Sequence, residues 1–165
     1  MSETGRDVLI TGVGIVSCLG EGAEVHGVGL PAQGVKANTA DYAPYSFFPL
    51  ADVSFDKQIP KKSDQRQMAL CQRIGTYAAG LALDSAGIKG DKALLAGMDM
   101  VTTTTGGERD LAVDSAVLSG IRSADDPALF LNQRLMSDLR PTFFLGQLPN
   151  LLAGNIAIVH GVTGS

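Results

Sequence analysis

The clearest signal along the chain is a continuous apolar and β-branched run, Val8-Leu9-Ile10-Thr11, which predicts a buried central strand from Asp7 that extends toward Ile15. It runs into Gly12-Val13-Gly14, where a turn or a close backbone approach is expected. Between Gly20 and Pro60 the patterning weakens. Four prolines (Pro31, Pro44, Pro49, Pro60), five glycines from Gly20 to Gly34 and scattered aromatics predict a long excursion, about residues 20–62, with short strand or turn pieces. Leu70, Ile74, Tyr77/Ala78 and Leu81 then recur at helical spacing. They predict one helix from Ser63, as N-cap, to Ala86, closed by Gly87.

Met98–Thr105 is β-branched and Thr-rich, so a second buried strand is predicted there, adjacent to Val8–Ile10 and ending at Gly106-Gly107. Further helices are predicted over Glu108–Ser119, stopped by Gly120, and from Asp125-Asp126-Pro127 to about Met136. After Pro141 comes a short aromatic segment. A last helix follows Pro149, runs over Leu151–Ile158 and closes at Gly161. Strand, excursion, helix, strand and helices in this order predict an α/β protein with a mixed sheet flanked by helices. Two strands make no stable sandwiched sheet, so the architecture is expected to be incomplete within these 165 residues.

Composition narrows the function classes. With 45% hydrophobic and 18% charged residues, a packed core is expected and a disordered chain is excluded. Glycine is abundant, 20 of 165 residues, and Trp is absent, so core volume must come from aliphatic side chains packed at close backbone approach. The net charge is −4 with no basic-aromatic face, which argues against nucleic acid as a partner. No secretory signal and no apolar run of membrane-spanning length is visible, so a cytoplasmic protein is expected. Cys18 and Cys71 are read as reduced, inert thiols, with a single disulfide as the other reading.

Motif chemistry is sparse. Gly12-Val13-Gly14 lacks the third glycine of a dinucleotide fingerprint, Ser17 standing in its place, which leaves a nucleotide-binding oxidoreductase as the weakest reading. Gly106-Gly107-Glu108 has no Lys-Ser/Thr of a phosphate loop. His26 lies in the Gly-rich loop, and His160 ends the last helix as a dipole partner; neither is next to a recognisable nucleophile motif, and Cys18 has no visible activator. Asp125-Asp126 reads as helix-start charge. No metal or cofactor is expected, and no complete catalytic constellation is legible.

Several segments together resemble the N-terminal portion of the β-ketoacyl-acyl-carrier-protein synthases, condensing enzymes of the thiolase-like fold. Val8-Leu9-Ile10-Thr11-Gly12-Val13-Gly14 through Leu19-Gly20 resembles the family's first strand and turn. Asp64–Ile88 is similar to its helix ending in Asp-Ala-Gly-Leu/Ile, and Val101–Gly107 to its strand ending in a Gly-rich turn. Phe143-Phe144, Leu148–Ala157 and His160–Gly164 resemble a later block. The resemblance spans nearly the whole chain and less than half of a family member. It implies a thiolase-like layered α/β fold of which 1–165 is the N-terminal part. It also implies acyltransferase chemistry in fatty-acid or polyketide synthesis: a Cys takes the acyl group, and two His residues support decarboxylation of a malonyl thioester.

The sequence departs from the family pattern in places. The early helix with its Trp is not recognisable between Gly20 and Pro60, Thr103 and Thr105 replace Gly and an apolar pocket residue, and Ser165 replaces Pro. The family's Cys and His residues have no match in Cys18, Cys71, His26 or His160, so no catalytic residue is assigned and the chain alone is expected to be inactive. By resemblance, Thr105 and Phe143 fall at the acyl pocket or the dimer side, a plain core role for Phe143 being equally open. An acyl carrier protein is the implied partner, with self-association or a missing C-terminal half. The alternative is a non-catalytic or truncated structural partner of another condensing subunit.

Overall fold

A computed structural model describes residues 7–27, 34–105, 109–140, 143 and 145–164. They divide into two compact units: residues 7–27, 34–101 and 153–164 form the first, and 102–105, 109–140, 143 and 145–152 the second. Among the described residues, the sheet is a two-stranded antiparallel hairpin, β1 (Val16–Ser17) and β2 (Gly20–Glu21), with Ser17 opposite Gly20. The helices are α1 (Lys62–Gln67), α2 (Leu70–Ser85), α3 (Lys92–Ala96), α4 (Leu111–Gly120), α5 (Pro127–Asp138) and α6 (Leu151–His160). None of them is long and apolar enough to cross a membrane.

The two predicted central strands do not form. Val8 is 95% exposed, Ile10 87% and Val101 94%, and neither segment enters a ladder among the described residues. A β-branched run is buried only when a second layer covers it and neighbouring strands take up its N–H and C=O groups. The expected pairing of Val8–Ile10 with Val101–Thr104 in a mixed sheet is therefore absent, and the paired glycines at 106–107 lie outside the described residues.

The close approach expected at Gly12-Val13-Gly14 is present, and it is made against α2. A methyl group on Gly12 would lie 2.5 Å from the Ala82 carbonyl oxygen and 2.7 Å from the Ala86 Cβ. One on Gly14 would collide with the Ala78 carbonyl oxygen and sit 2.6 Å from the Ala82 nitrogen. Alternate positions of an extended chain share a face, and residues four apart share a helix face. Gly12 and Gly14 thus lie on the Ala78-Ala82-Ala86 row, and Val13 N–H donates to Ser85 Oγ at 3.3 Å.

The single helix expected from Ser63 to Ala86 is broken in two. Met68 and Ala69 are extended and buried between α1 and α2. The orphan Ala69 N–H at the break donates to the Gln72 side chain at 3.1 Å. Ser63 is not the cap; Lys61 occupies that position without a side-chain bond, and Ser63 Oγ turns to Asp64. Gly87 does close α2: its φ is +69°, its N–H reaches the Asp84 carbonyl and the Ile88 N–H reaches that of Leu83. The excursion is irregular as expected, with one-turn helices at Glu24–His26 and Phe55–Lys57 and an isolated bridge between Asn38 and Phe47. Cys71 is exposed and Cys18 half-buried; both are free thiols.

The core of the first unit sits on α2. Ile59, Thr76 and Tyr77 are fully buried, with Met68, Leu83, Leu95, Ile156 and Val162 around them. Tyr77 donates its hydroxyl to Glu21, which also pairs with Lys57, so the hairpin is tied to the helix through a carboxylate. Lys57 and then Tyr77 hold the Glu21 carboxyl below the usual range, while burial and Glu21 push the Tyr77 phenol up. His160 is not merely a dipole partner. It is buried, and its Nε2 donates to the Thr76 carbonyl at 2.8 Å. Its ring lies over Gly80, where a methyl group would come within 2.7 Å of Cε1.

In the second unit both expected helices form, but Gly120, expected to stop α4, is its last helical residue and a one-turn helix over Ile121–Ser123 follows it; the expected start at Glu108 lies outside the described residues. Asp110 caps α4 by accepting from Val113 N–H, and Asp126 caps α5 by accepting from Ala128 and Leu129 before Pro127 completes the first turn. Gly120 gives room to the Phe130 ring, 3.1 Å from a methyl group's position at Cε1. In the first unit, Asp91 caps α3 in the same way, accepting from Ala93 and Leu94 N–H.

Gly14→Ala places a methyl against backbone that cannot swing aside, so a loss of at least about 1–3 kcal/mol is expected from overpacking, read as a lower urea midpoint. The second prediction concerns pH. Burial, and less strongly Lys89, hold the His160 imidazole below its ordinary value against the opposing Thr76 hydrogen bond. The unfolded chain therefore takes up this proton first, and stability falls as pH drops through about 6.5, the unfolded value. Urea midpoints measured between about pH 7 and pH 5 will fall for the parent chain and fall less for His160→Gln.

Candidate functional site

Of the two residues assigned by resemblance, Phe143 lies at a cavity. Phe143, Arg109, Asp110, Leu111 and Arg140 line an open cavity of about 390 Å³ in the second unit. Its shape follows from two local devices. The Asp110 cap fixes the start of α4 and so the positions of Arg109 and Leu111. Arg109 turns along the helix, its guanidinium meeting Asp114 Oδ2 at 2.7 Å through both Nε and Nη2. On the opposite wall a turn closes when Phe143 N–H donates to the Arg140 carbonyl at 2.9 Å. That turn sets the Arg140 guanidinium 6.0 Å from the ring centroid, at the limit of a cation–π contact. Two guanidiniums beside an aromatic ring and Leu111 suit a ligand with an anionic end and an apolar body. Thr105 is exposed, and its carbonyl accepts from the Thr104 hydroxyl at 3.3 Å; it is not among the described residues lining this cavity.

A second cavity, of about 470 Å³, lies in the first unit at the α1–α2 break and is lined by Lys62, Gln65, Arg66 and Arg73. The break permits this clustering, because it swings α1 so that its Lys62 and Arg66 share a wall with Arg73 of α2. Gln65 is buried and donates to the Ile59 carbonyl at 2.6 Å and to Asp56 at 2.7 Å. Lys62 pairs with the same Asp56 carboxylate, and these two contacts hold it below the ordinary carboxylate range. Arg73 lies 5.6 Å from the Phe55 ring centroid, and its buried Nε has no hydrogen-bond partner among the described residues. Three cations around one cavity form a local positive site on a chain whose net charge is −4. No sequence reading gave Lys62, Arg66 or Arg73 a role, and the helix break beside this cavity was not expected.

The histidines and cysteines fall apart. His160 is in the core and Cys71 on the surface. His26 meets the Ser17 hydroxyl, its Nε2 and Oγ being 2.7 Å apart. Among the described residues no group of three His, Cys, Asp or Glu side chains is placed to hold a metal ion.

Compared with known protein families, the sequence matches the beta-ketoacyl synthase N-terminal domain over residues 5–165. The chain belongs to the β-ketoacyl synthase family. A comparison with curated proteins finds no match. Membership implies the thiolase-like fold and the condensing-enzyme class of transferases for this β-ketoacyl synthase domain, whereas the described residues carry a two-stranded hairpin and helices rather than a layered mixed sheet.

Asp110→Ala removes the cap that sets one wall of the Phe143 cavity. A loss of about 1 kcal/mol is expected from urea unfolding, together with higher amide exchange at Leu111–Val113, which lose their anchor.

Proposed function

We propose that this β-ketoacyl synthase domain serves the decarboxylative condensation of an acyl thioester with a malonyl-carrier protein, in fatty-acid or polyketide synthesis in the cytoplasm. The family match over residues 5–165 carries this reading. In such a reaction a thiolate takes the acyl group from its carrier. Loss of CO₂ from the malonyl thioester then generates the carbanion that attacks the enzyme-bound acyl carbonyl. The four Cys and His residues of this chain match none of the groups that do this in the family. The chain's share is scaffold and binding surface, and the thiolate and imidazoles come from polypeptide that completes the domain or from a partner subunit.

Two features support the binding role. The Phe143 cavity offers the apolar Phe143 and Leu111 side chains to the acyl chain of a thioester. The Lys62–Arg66–Arg73 cavity offers positive charge to a carrier protein, whose phosphate-linked arm brings negative charge. The exposed Val8–Ile10 and Val101 segments fit a partner that completes the sheet, either a second subunit or the C-terminal half.

The test has two arms. Supplied with an acyl thioester and malonyl-carrier protein, the 165-residue chain will form no 3-oxoacyl product. Ketoacyl product that persists in the Cys18→Ser, Cys71→Ser double variant would place the chemistry elsewhere and overturn this account. In the second arm, acyl-carrier-protein binding is followed by fluorescence anisotropy. Lys62→Glu with Arg66→Glu is expected to weaken it at least tenfold, about 1.4 kcal/mol, and added salt to weaken parent binding in the same direction.

A further inference from the structure

The hairpin turn holds a hydroxyl, an imidazole and a carbonyl in line. His26 Nδ1 is 2.6 Å from the Gly22 carbonyl oxygen, and its Nε2 is 2.7 Å from Ser17 Oγ. A carbonyl oxygen only accepts, so in the neutral ring Nδ1 carries the proton. Nε2 is then the lone-pair acceptor of the Ser17 O–H. Three local features maintain this alignment. Ser17 is the last residue of β1 and faces Gly20 across the ladder. Gly22, with φ +88°, turns the chain directly after β2 and aims its carbonyl at the ring. The single helical turn Glu24–His26 brings the imidazole back over the hairpin, and Gly22 N–H donates to the Ile15 carbonyl at 2.9 Å to close the loop's base.

We propose that Ser17 is an acylatable nucleophile with His26 as its general base and the Gly22 carbonyl as the group that orients the base. This rests on the geometry of the turn and is independent of the condensing role proposed above. A nucleophile hydrogen-bonded to a base, whose other nitrogen is held by a third group, is the arrangement that activates a serine hydroxyl. Both side chains are half-buried, so the pair is restrained yet reachable from solvent. The Leu19 N–H donates to Oγ at 3.0 Å, which fixes one lone pair and leaves another for attack.

The substrate class is an activated ester or thioester. Ser17 Oγ attacks the acyl carbonyl carbon, and its proton passes to His26 Nε2. The C–O or C–S bond to the leaving group breaks, and the departing alkoxide or thiolate takes the proton from Nε2. The products are an O-acyl serine and a free alcohol or thiol, with no oxidant or further reactant needed. Cys18, next in sequence, is a half-buried free thiol and is not assigned this role.

The probe is p-nitrophenyl acetate, with release of nitrophenol followed optically and the acetylated residue located by peptide mass mapping. The expected result is one acetyl group per chain on Ser17, absent in Ser17→Ala and unchanged in Cys18→Ser. His26→Gln keeps a side chain able to hydrogen-bond but removes the base, so acetylation should slow about 100-fold, the lower range for a lost general base. Label on other residues with none on Ser17 would overturn the proposal. So would Ser17 labelling that is as fast in His26→Gln, or as fast in the parent chain unfolded in urea. The urea arm decides the matter even if the His26 variant does not fold.

Discussion

The first unit depends on how closely other segments approach the backbone of α2. Gly12 and Gly14 lie against the Ala78-Ala82-Ala86 row, and Gly80 admits the His160 ring and the Gln58 side chain on the helix surface. Such contacts need hydrogen atoms where other residues carry a Cβ, and they bring backbone dipoles and small side chains to van der Waals distance. With no Trp and few aromatics, this chain builds its core from proximity rather than from large side chains. Glycine serves this packing at Gly12, Gly14 and Gly80, and serves turns of positive φ at positions such as Gly22 and Gly87.

Polar groups buried by the same packing have partners that join distant segments. Gln58 donates to Asp84 at 2.7 Å, and Lys89 meets both of them, so the excursion, α2 and the turn after it share one network. Gln58 and then Lys89 hold the Asp84 carboxyl below its usual range. Glu21 performs the same service between the hairpin, Lys57 and Tyr77. Each network joins segments that lie far apart in sequence. The hairpin carrying Ser17 and His26 is therefore anchored at Glu21, one residue from the carbonyl that orients the imidazole.

The chain of this β-ketoacyl synthase domain leaves two apolar segments exposed. Val8–Ile10 and Val101 have the composition of central strands and stand in solvent among the described residues. Their composition is suited to a layer that completes the sheet, and the hairpin and helices present here are the parts whose hydrogen bonds close locally. The described lining residues of the Arg140–Phe143 cavity and of the basic cavity at the α1–α2 break are likewise placed by local turns.

Local chemistry was legible in the sequence. The Asp126-capped start of α5, Pro127 at its first turn, and the closures of α2 at Gly87 and α6 at Gly161 depend on residues within a few positions of one another, and so did the expectation of close approach at Gly12–Gly14. The family too was legible, because short motifs at ordered spacing survive in the primary chain. What required the tertiary structure was every feature decided by a distant partner. The strand-like runs found no ladder, because burial of a β-branched segment is a property of what covers it. The helix expected from Ser63 broke at Met68–Ala69, where those two residues enter the core and Gln72 satisfies the freed N–H. Lys62, Arg66 and Arg73 line one cavity beside that break. His26 met Ser17 only because Gly22 takes a positive φ and reverses the chain, a backbone angle that its one-letter code permits without dictating.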